Sequence, residues 1–576
     1  MAATDPYAFL PVSPFSPPPN FNFASHIIDN YAAFSPDSVA LHWASQDLAT
    51  ERCLTYSYFS QQSQRIATWL QSLGLRAGDT LIIILPRLPE WWELAIACLR
   101  SGIILCPCTT LLVDKDIEYR LNVSHASAFV GDENAIKKCL KVRRNCPRLK
   151  TVIQIGGTPP SGVDEWYSAL QSIKSTQFDV PQSLTAASPA LTFFTSGTTG
   201  PPKIVLHNQI SYPLCHALTG IHWLDLKLGK TYWNLSEQGW AKAAWSFFST
   251  FNCGATLFVH DDRLAFDAER TIEVLHRFPI TTLCAPPTVY RQLVRNENRK
   301  ILESSGGRPM ALVHATGAGE PLNADVIRIW KEMTGMEIRD GYGQTEMILV
   351  CANQVGEKVK YGSMGRPIPG VPLVVINNEG DETNNDEEGD IAVEIKGEGL
   401  GEFKGLFEGY IDKETGKVDR KIKQFASGRH FYLTGDRATR DNEGYFWFVG
   451  RSDDVINSSG YRIGPFEVES TLKLHPNVVE SAVVASPDPQ RDEVVKAFVV
   501  LTNEAAARLS EKGQQDKLVK DLQDFCKENA APYKYPRKVE FVDATFLPKT
   551  ISGKIKRSEL KKLERDKFRK EQGSKL

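Results

Sequence analysis

The sequence predicts an α/β protein: a large N-terminal body built on parallel sheets and carrying a small β-barrel, followed by a small α+β C-terminal domain. Three observations lead there. Helical and strand-like periods alternate from about Phe59 to Ile155 and again after Lys203, which is the grammar of βαβ units whose helices cover both faces of a parallel sheet. An acidic, Asn-rich stretch at Glu379 to Asp390 is flanked by two short apolar runs suited to antiparallel strands. After Arg451 the polar joint Ser452-Asp453-Asp454 separates these patterns from a compact α+β segment.

Taken in order, an amphipathic run ends at Gly74 and the apolar stretch Thr80 to Leu85 reads as a buried strand. A helix follows around Glu90 to Arg100, then strands at Ile103 to Cys106, Ala128 to Val130 and Thr151 to Ile155. Beyond Lys203 the order is helix Trp240 to Phe251, strand Ala255 to Val259, helix Glu269 to Arg277, strand Thr281 to Cys284, and strand Ala311 to Ala315 ahead of Gly317. Pro372 to Ile376 and Ile391 to Ile395 are the strands beside the acidic loop. Ser481 to Ala485, Val494 to Leu501 and the helix Gln515 to Glu528 belong to the last domain. The expected division is a Pro-rich lead-in at 1–24, a large domain at 25–451, a hinge at 452–454, a C-terminal domain at 455–570 and a tail at 571–576.

At 576 residues the chain has room for several cores, about four units on a divisor of ~150 residues. A net charge of −2 excludes a general binder of nucleic acid or anionic membrane. Apolar runs such as Leu81 to Leu85 fall far short of the roughly 18 residues that cross a bilayer, so no integral membrane segment is expected. Eleven cysteines, an odd number with no second cluster to complement Cys106-Pro107-Cys108, read as reduced thiols of an intracellular protein rather than a metal-thiolate site.

Five segments carry chemistry. In Leu191 to Lys203 an apolar strand runs into Thr195-Ser196-Gly197-Thr198-Thr199-Gly200-Pro201-Pro202-Lys203. The glycines admit close backbone approach, the hydroxyls donate to phosphate oxygens, and Lys203 adds positive charge, all suited to a nucleoside triphosphate. The common P-loop spacing is absent, so a different phosphate loop is implied. Ala315-Thr316-Gly317-Ala318-Gly319-Glu320 and Gly341-Tyr342-Gly343-Gln344-Thr345-Glu346 offer glycines for a flat base, a ring to stack on it, and a carboxylate for Mg²⁺. Asp436, in Tyr432 to Asp436, can accept both ribose hydroxyls. Gly450 to Pro465, with Arg451 and Arg462, suits an anionic ligand, and Pro548 to Lys554 presents one lysine on a turn. Singly, each has a plainer reading as a turn or a solvated loop.

Together, in this order and at roughly these separations, the segments resemble the core motifs of the adenylate-forming superfamily of acyl-CoA synthetases, adenylation domains and luciferases. The resemblance spans about residues 25 to 560. Asn457 to Pro465, Ser486 to Pro489, Val494 to Leu501 and Ala531 to Lys538 look most like medium-chain acyl-CoA synthetases. The resemblance implies stacked flavodoxin-like sheets, a mobile C-terminal domain, and ATP, Mg²⁺ and coenzyme A as cofactors. It implies an ATP-dependent ligase that joins a medium-chain or small aromatic carboxylic acid to CoA through an acyl-AMP intermediate. Carried over by motif, Thr195 to Lys203 wraps the triphosphate, Gly317, Glu320 and Asp340 to Thr345 line adenine and the α-phosphate, Glu346 holds Mg²⁺, and Asp436 and Arg451 take the ribose. Lys554, aided by Arg462 and Thr345, serves the adenylation step. Ser459, Gly460, Tyr461, Arg491, Lys527, Tyr535 and Arg537 meet CoA after the small domain rotates about Asp453, and Trp240 stands beside the substrate carboxylate. Leu111 stands where related enzymes often have a glutamine, and Asp412 to Gln424 looks longer than in them. Two rivals are an adenylating enzyme that serves a non-CoA acceptor and a non-catalytic binder. The first lacks a carrier-like segment, and the second would require decay of Lys554, Glu346 or Asp436, all present.

The first basic residue is Arg52, which fits neither a transit peptide nor a secretory signal. The terminal Ser574-Lys575-Leu576 matches the address read by the peroxisomal import receptor, so a peroxisomal location is expected.

Overall fold

The computed structural model describes residues 5–174, 177–195, 202–395, 403–458, 461–489, 491–509, 513–530, 532–550 and 554–573; for Arg462, Asp492, Pro532 and 571–573 the backbone alone is described. The chain divides into two compact units, one of Met1–Thr195, Lys203–Pro372 and Ile395–Lys421, the other containing Leu373–Glu394 and Ile422–Leu576.

The first unit holds two nine-stranded sheets. In one, the parallel core runs Ile338–Gly343, His314–Ala318, Thr282–Ala285, Thr231–Asn234, Thr256–His260, Val39–Ala44. Antiparallel strands close its two edges. In the other, the parallel core runs Pro189–Thr195, Ile104–Pro107, Thr80–Ile84, Ala128–Gly131, Thr151–Gln154, Asp164–Glu165, and Lys203–Asn208, Gly409–Ile411 and Val418–Asp419 extend it antiparallel. Thr80–Ile84 is buried throughout, as a strand of a parallel sheet covered on both faces must be. The helix Glu90–Ser101 is buried along its whole length and Ala241–Asn252 nearly so. They belong to different sheets, and Trp91 meets Phe247 edge-on, ring centroids 6.3 Å apart. Helices buried on every face between two sheets account for the stacked α/β architecture.

The Pro-rich lead-in packs on this unit, where Phe15 fills the space a side chain at Gly370 would need and the Tyr7 hydroxyl lies 2.7 Å from His222 Nε2. The strand expected at Ala311 to Ala315 begins three residues later, at His314, because Leu312 N–H closes a turn onto Pro309 and pairing with Thr282 starts only at His314. Val39–Ala44 and Glu51–Thr55 are strands that the sequence did not announce.

In the second unit the barrel-like part is a five-stranded antiparallel sheet built around the long strand His430–Arg440. The acidic stretch is the loop before Gly389–Ile395, as expected. The C-terminal sheet centres on the hairpin Val478–Asp488 with Asp492–Leu501, paired from Val478↔Leu501 to Asp488↔Asp492. One face buries Ile463, Val483, Val499 and Leu522, the other Val484, Phe498, Leu547 and Leu560. Burying such side chains contributes about 1.5–3 kcal/mol each. All eleven cysteines are free thiols and ten are buried. Among the described residues no helix is long and apolar enough to cross a membrane, and no group of three or more His, Cys, Asp or Glu is arranged to hold a metal.

Candidate active site

The strands Pro189–Thr195 and Lys203–Asn208 are antiparallel neighbours with Thr195 opposite Lys203, so the phosphate-type loop leaves and returns at one sheet end. Its residues Ser196, Gly197, Thr198, Thr199 and Gly200 lie outside the described residues. Gly409–Ile411 pairs with the second of these strands, Tyr410 opposite Val205. The exposed Lys203 ammonium lies 4.9 Å from the centre of the Tyr410 ring, and the Tyr410 hydroxyl donates to Glu346 Oε1 at 2.7 Å. Tyr410 thus joins the lysine that closes the loop to the carboxylate expected to hold Mg²⁺. Glu346 Oε2 has no protein partner among the described residues, and a half-buried carboxylate oxygen suits a hard cation.

The backbone beside it is held as tightly. Glu346 O accepts from Phe407 N–H at 2.8 Å, and Thr345 O accepts from His207 Nε2 at 2.7 Å. Burial lowers His207 to about 4, so the ring is neutral; Nε2 carries the proton and Nδ1 accepts from Ser211 at 3.0 Å.

The second glycine cluster packs as its composition implies. A Cβ at Gly341 would lie 2.8 Å from the Trp223 ring, and one at Gly343 2.8 Å from Ile348 O. Gly317 ends in the strand His314–Ala318, with Ile338 and Leu322 at 3.4 Å from a notional Cβ. Asp340 is buried; its carboxylate accepts from Leu322 N–H at 3.2 Å and Gly341 N–H at 2.9 Å, and burial pushes it up to about 7. It ties the loop after Gly317 to the strand Ile338–Gly343. Glu320 pairs with Arg291 at 3.0 Å, and Tyr342 and Gln344 are half-buried.

Trp240 caps the N-terminus of Ala241–Asn252, half-buried. Its position is set by Gly239, where a Cβ would lie 2.1 Å from Thr109 N. Glu237 accepts from Thr110 N–H at 3.3 Å and Gly239 N–H at 3.2 Å, and burial raises its carboxyl. Leu111 is 62% exposed.

In the second unit Asp436 faces Arg451 across the ladder, Oδ1 3.4 Å from Nε. Lys554 is exposed; Thr550 N–H donates to Lys554 O at 2.8 Å and Lys554 N–H to Thr550 Oγ1 at 3.1 Å. The Tyr535 ring has Lys527 at 4.6 Å and Arg537 at 4.9 Å. Tyr461 stacks on Tyr533 with centroids 4.5 Å apart. Arg491, half-buried, donates its N–H to Asp488 at 3.1 Å, and the Arg462 backbone pairs with Asn457. Ser459 and Gly460 lie outside the described residues. Sequence reasoning passed over Tyr410, His207 and Lys242, whose ammonium donates to Ala318 O at 2.7 Å. Nothing local in the sequence marked any of the three.

Residues 28–410 match the AMP-binding enzyme family model, and residues 467–554 match the AMP-binding enzyme C-terminal domain. The chain belongs to the AMP-binding enzyme family. Family relatives include acyl-coenzyme A synthetase ACSM4, mitochondrial, of Rattus norvegicus, 43% identical over 94% of this chain and 90% of its own length. Acyl-coenzyme A synthetase ACSM5, mitochondrial, of Homo sapiens is 40% identical over 95% and 91%. Among solved structures, the anthranilate CoA ligase AuaEII in complex with anthranoyl-AMP superposes with a TM-score of 0.80 at 27% identity, covering 96% of this chain and 99% of that one. An acyl-CoA synthetase of Brucella canis gives 0.70 at 32%, covering 98% of each.

The relatives correct one expectation. They are named mitochondrial, which overturns the peroxisomal location and removes the support for an import-receptor partner. A three-residue terminal match weighs little against relatives aligned over nine-tenths of the chain, and Ser574, Lys575 and Leu576 lie outside the described residues.

Proposed function

We propose that this chain ligates a carboxylic acid to coenzyme A through a mixed anhydride with AMP, and that the residues assembled above divide the work. The junction of Lys203, Tyr410 and Glu346 supports this reading most directly, because it sets a cation and a carboxylate of the Mg²⁺-holding type at the mouth of one glycine- and hydroxyl-rich loop. The enzyme is an AMP-forming acid–CoA ligase of the medium-chain acyl-CoA synthetase type, and it uses ATP, Mg²⁺ and CoA.

A carboxylate is a poor acyl donor; transferring AMP to it turns the acyl oxygen into a good leaving group. Lys203 and the loop hold the triphosphate, and Gly341 to Thr345 bound the base and α-phosphate. Glu346, one oxygen fixed by Tyr410, would hold Mg²⁺, which when bound neutralises phosphate charge. Asp436 takes the ribose hydroxyls. Lys554 places an ammonium against the charge that grows on the α-phosphate as pyrophosphate departs. Trp240 walls the carboxylate. Lys527, Tyr535 and Arg537 offer two cations around an aromatic face to the nucleotide end of CoA, whose thiol then attacks the anhydride carbonyl and releases AMP. Adenylation and thiol attack require different partners, so the C-terminal domain turns about Asp453 between them. We place the enzyme in mitochondria, as its relatives are named.

A pyrophosphate-release screen over straight-chain, branched and aromatic acids, run with and without CoA, tests the reading. Acid-dependent pyrophosphate release, with AMP and acyl-CoA in equal amounts when CoA is present, is the expected result; no acid-dependent release would end it.

A further inference from the structure

We propose that Lys561, on the C-terminal helix Arg557–Gly573, is a positioning residue of the ligation cycle. It fixes the peptide plane between Asp453 and Asp454 to the C-terminal domain, so that reorientation of that domain is confined to the backbone torsions of Ser452 and Asp453. The proposal rests on the two-step reading above and names the device that makes its pivot sharp.

On the downstream side the Lys561 ammonium donates to the backbone carbonyl of Asp453 and pairs with Asp454 Oδ1 at 2.8 Å. Asp454 is 8% exposed, and its other oxygen lies 3.8 Å from Arg557 Nη1. Arg557 pairs with Glu469 at 2.6 Å, and Glu469 accepts from Val483 N–H at 2.7 Å. The clamp therefore runs from the joint through the last helix into the helix Pro465–Leu472 and the central hairpin of the C-terminal sheet. Both side chains of the Lys561–Asp454 pair are largely shielded from water, where a charge-assisted hydrogen bond outweighs an exposed ion pair.

On the upstream side the chain is anchored to the five-stranded sheet. Ser452 N–H donates to Gly435 O at 2.9 Å, Ser452 Oγ lies 3.2 Å from Asp390 Oδ1, and Arg451 stands opposite Asp436 in the ladder. Between these anchors lie the φ and ψ of Ser452 and Asp453 alone. Among the described residues the backbone bonds that cross them are Asp454 N–H and Val455 N–H to Arg451 O, at 3.0 and 3.1 Å, and the Arg451 guanidinium also lies 3.8 Å from Asp453 Oδ1. Those are the bonds a rotation exchanges. The carbonyl of Asp453 lies downstream of its own torsions, so the Lys561 bond travels with the C-terminal domain and survives the turn. Without it the slack spreads into the following residues, and the domain exchanges more slowly between its two productive orientations.

The test separates one adenylation from repeated cycling. Without CoA, acyl-AMP formation is followed in a single turnover; with CoA, steady-state turnover is measured. Lys561→Gln is expected to keep the single-turnover rate within about twofold of wild type while steady-state turnover falls about tenfold, with Lys561→Arg restoring most of it. Asp454→Asn, which breaks the pair from the other side, is expected to show the same split. Unchanged turnover, a parallel fall of both rates in both variants, or no rescue by arginine would overturn the proposal, since a merely structural staple lowers both together. Wild-type protein that formed no acyl-AMP would overturn the ligase reading itself, and the proposal with it.

Discussion

Tyr410 shows what one hydroxyl is expected to do in the first unit. Its bond to Glu346 Oε1 orients a carboxylate that would otherwise choose among rotamers. Tyr410→Phe is expected to raise the Mg²⁺ needed for half-maximal pyrophosphate release by about 3–10-fold, with the melting temperature nearly unchanged; a Mg²⁺ titration identical to wild type would contradict that role. A second residue-scale prediction concerns stability. Glu93 is buried with Glu90 nearby and accepts from Tyr58 at 2.6 Å and Gln62 at 3.3 Å; burial first, then the Glu90 charge, push it up to about 7. The folded chain then keeps a proton that the unfolded chain releases near the usual carboxylate pKa. The contribution is therefore full below that value and lost as pH rises through about 7. Glu93→Gln, which does not titrate, is expected to gain about 1–3 kcal/mol on the wild type between about pH 5 and about pH 8. Thermal melts at both pH values measure it, and a constant difference would refute it. The motif glycines and acids of the site were legible because each sits in a contiguous run whose chemistry is local. Tyr410 and His207 were not, because side-chain hydrogen bonds join them to Glu346 and Thr345 across 64 and 138 positions.

Element pairing explains how such distant residues meet. Gly409–Ile411 is only three residues long, yet by lying against Lys203–Asn208 it carries Tyr410 to the loop's edge. Short strands of this kind leave almost no periodic signal, and the same holds for Glu51–Thr55, whose charged Glu51 and Arg52 mask an edge strand. Long elements were readable: the continuous apolar run at Thr80–Ile84 and the amphipathic helices declare themselves by period alone. The start of His314–Ala318 was misjudged because Ala311 to Val313 are apolar but spent on a turn. At this scale the junction of Gly239 with the backbone of Thr109 is a very close contact. The obstacle is main chain, which cannot swing aside. Gly239→Ala is expected to cost about 1–3 kcal/mol of stability and to raise the KM for the acid far more than that for ATP, since Trp240 is displaced first. Equal changes in the two KM values would argue against Trp240 as the carboxylate wall.

At the scale of the whole molecule, the first unit holds Lys203, Tyr410 and Glu346, and the second holds Asp436, the cations around Tyr535 and the exposed Lys554. The sequence marked an expected boundary at the polar joint 452–454, yet that joint lies inside the second unit, which also takes in most of the five-stranded sheet, because contact between segments leaves no compositional mark. The claim on which the rest depends is that Lys554 serves adenylation and is dispensable once the anhydride exists. The decisive measurement is the pair of half-reactions in Lys554→Ala: acyl-AMP formation from acid and ATP, and acyl-CoA formation from supplied acyl-AMP and CoA. The first is expected to be abolished while the second remains in part; loss of both to the same extent, or retention of both, would contradict the account.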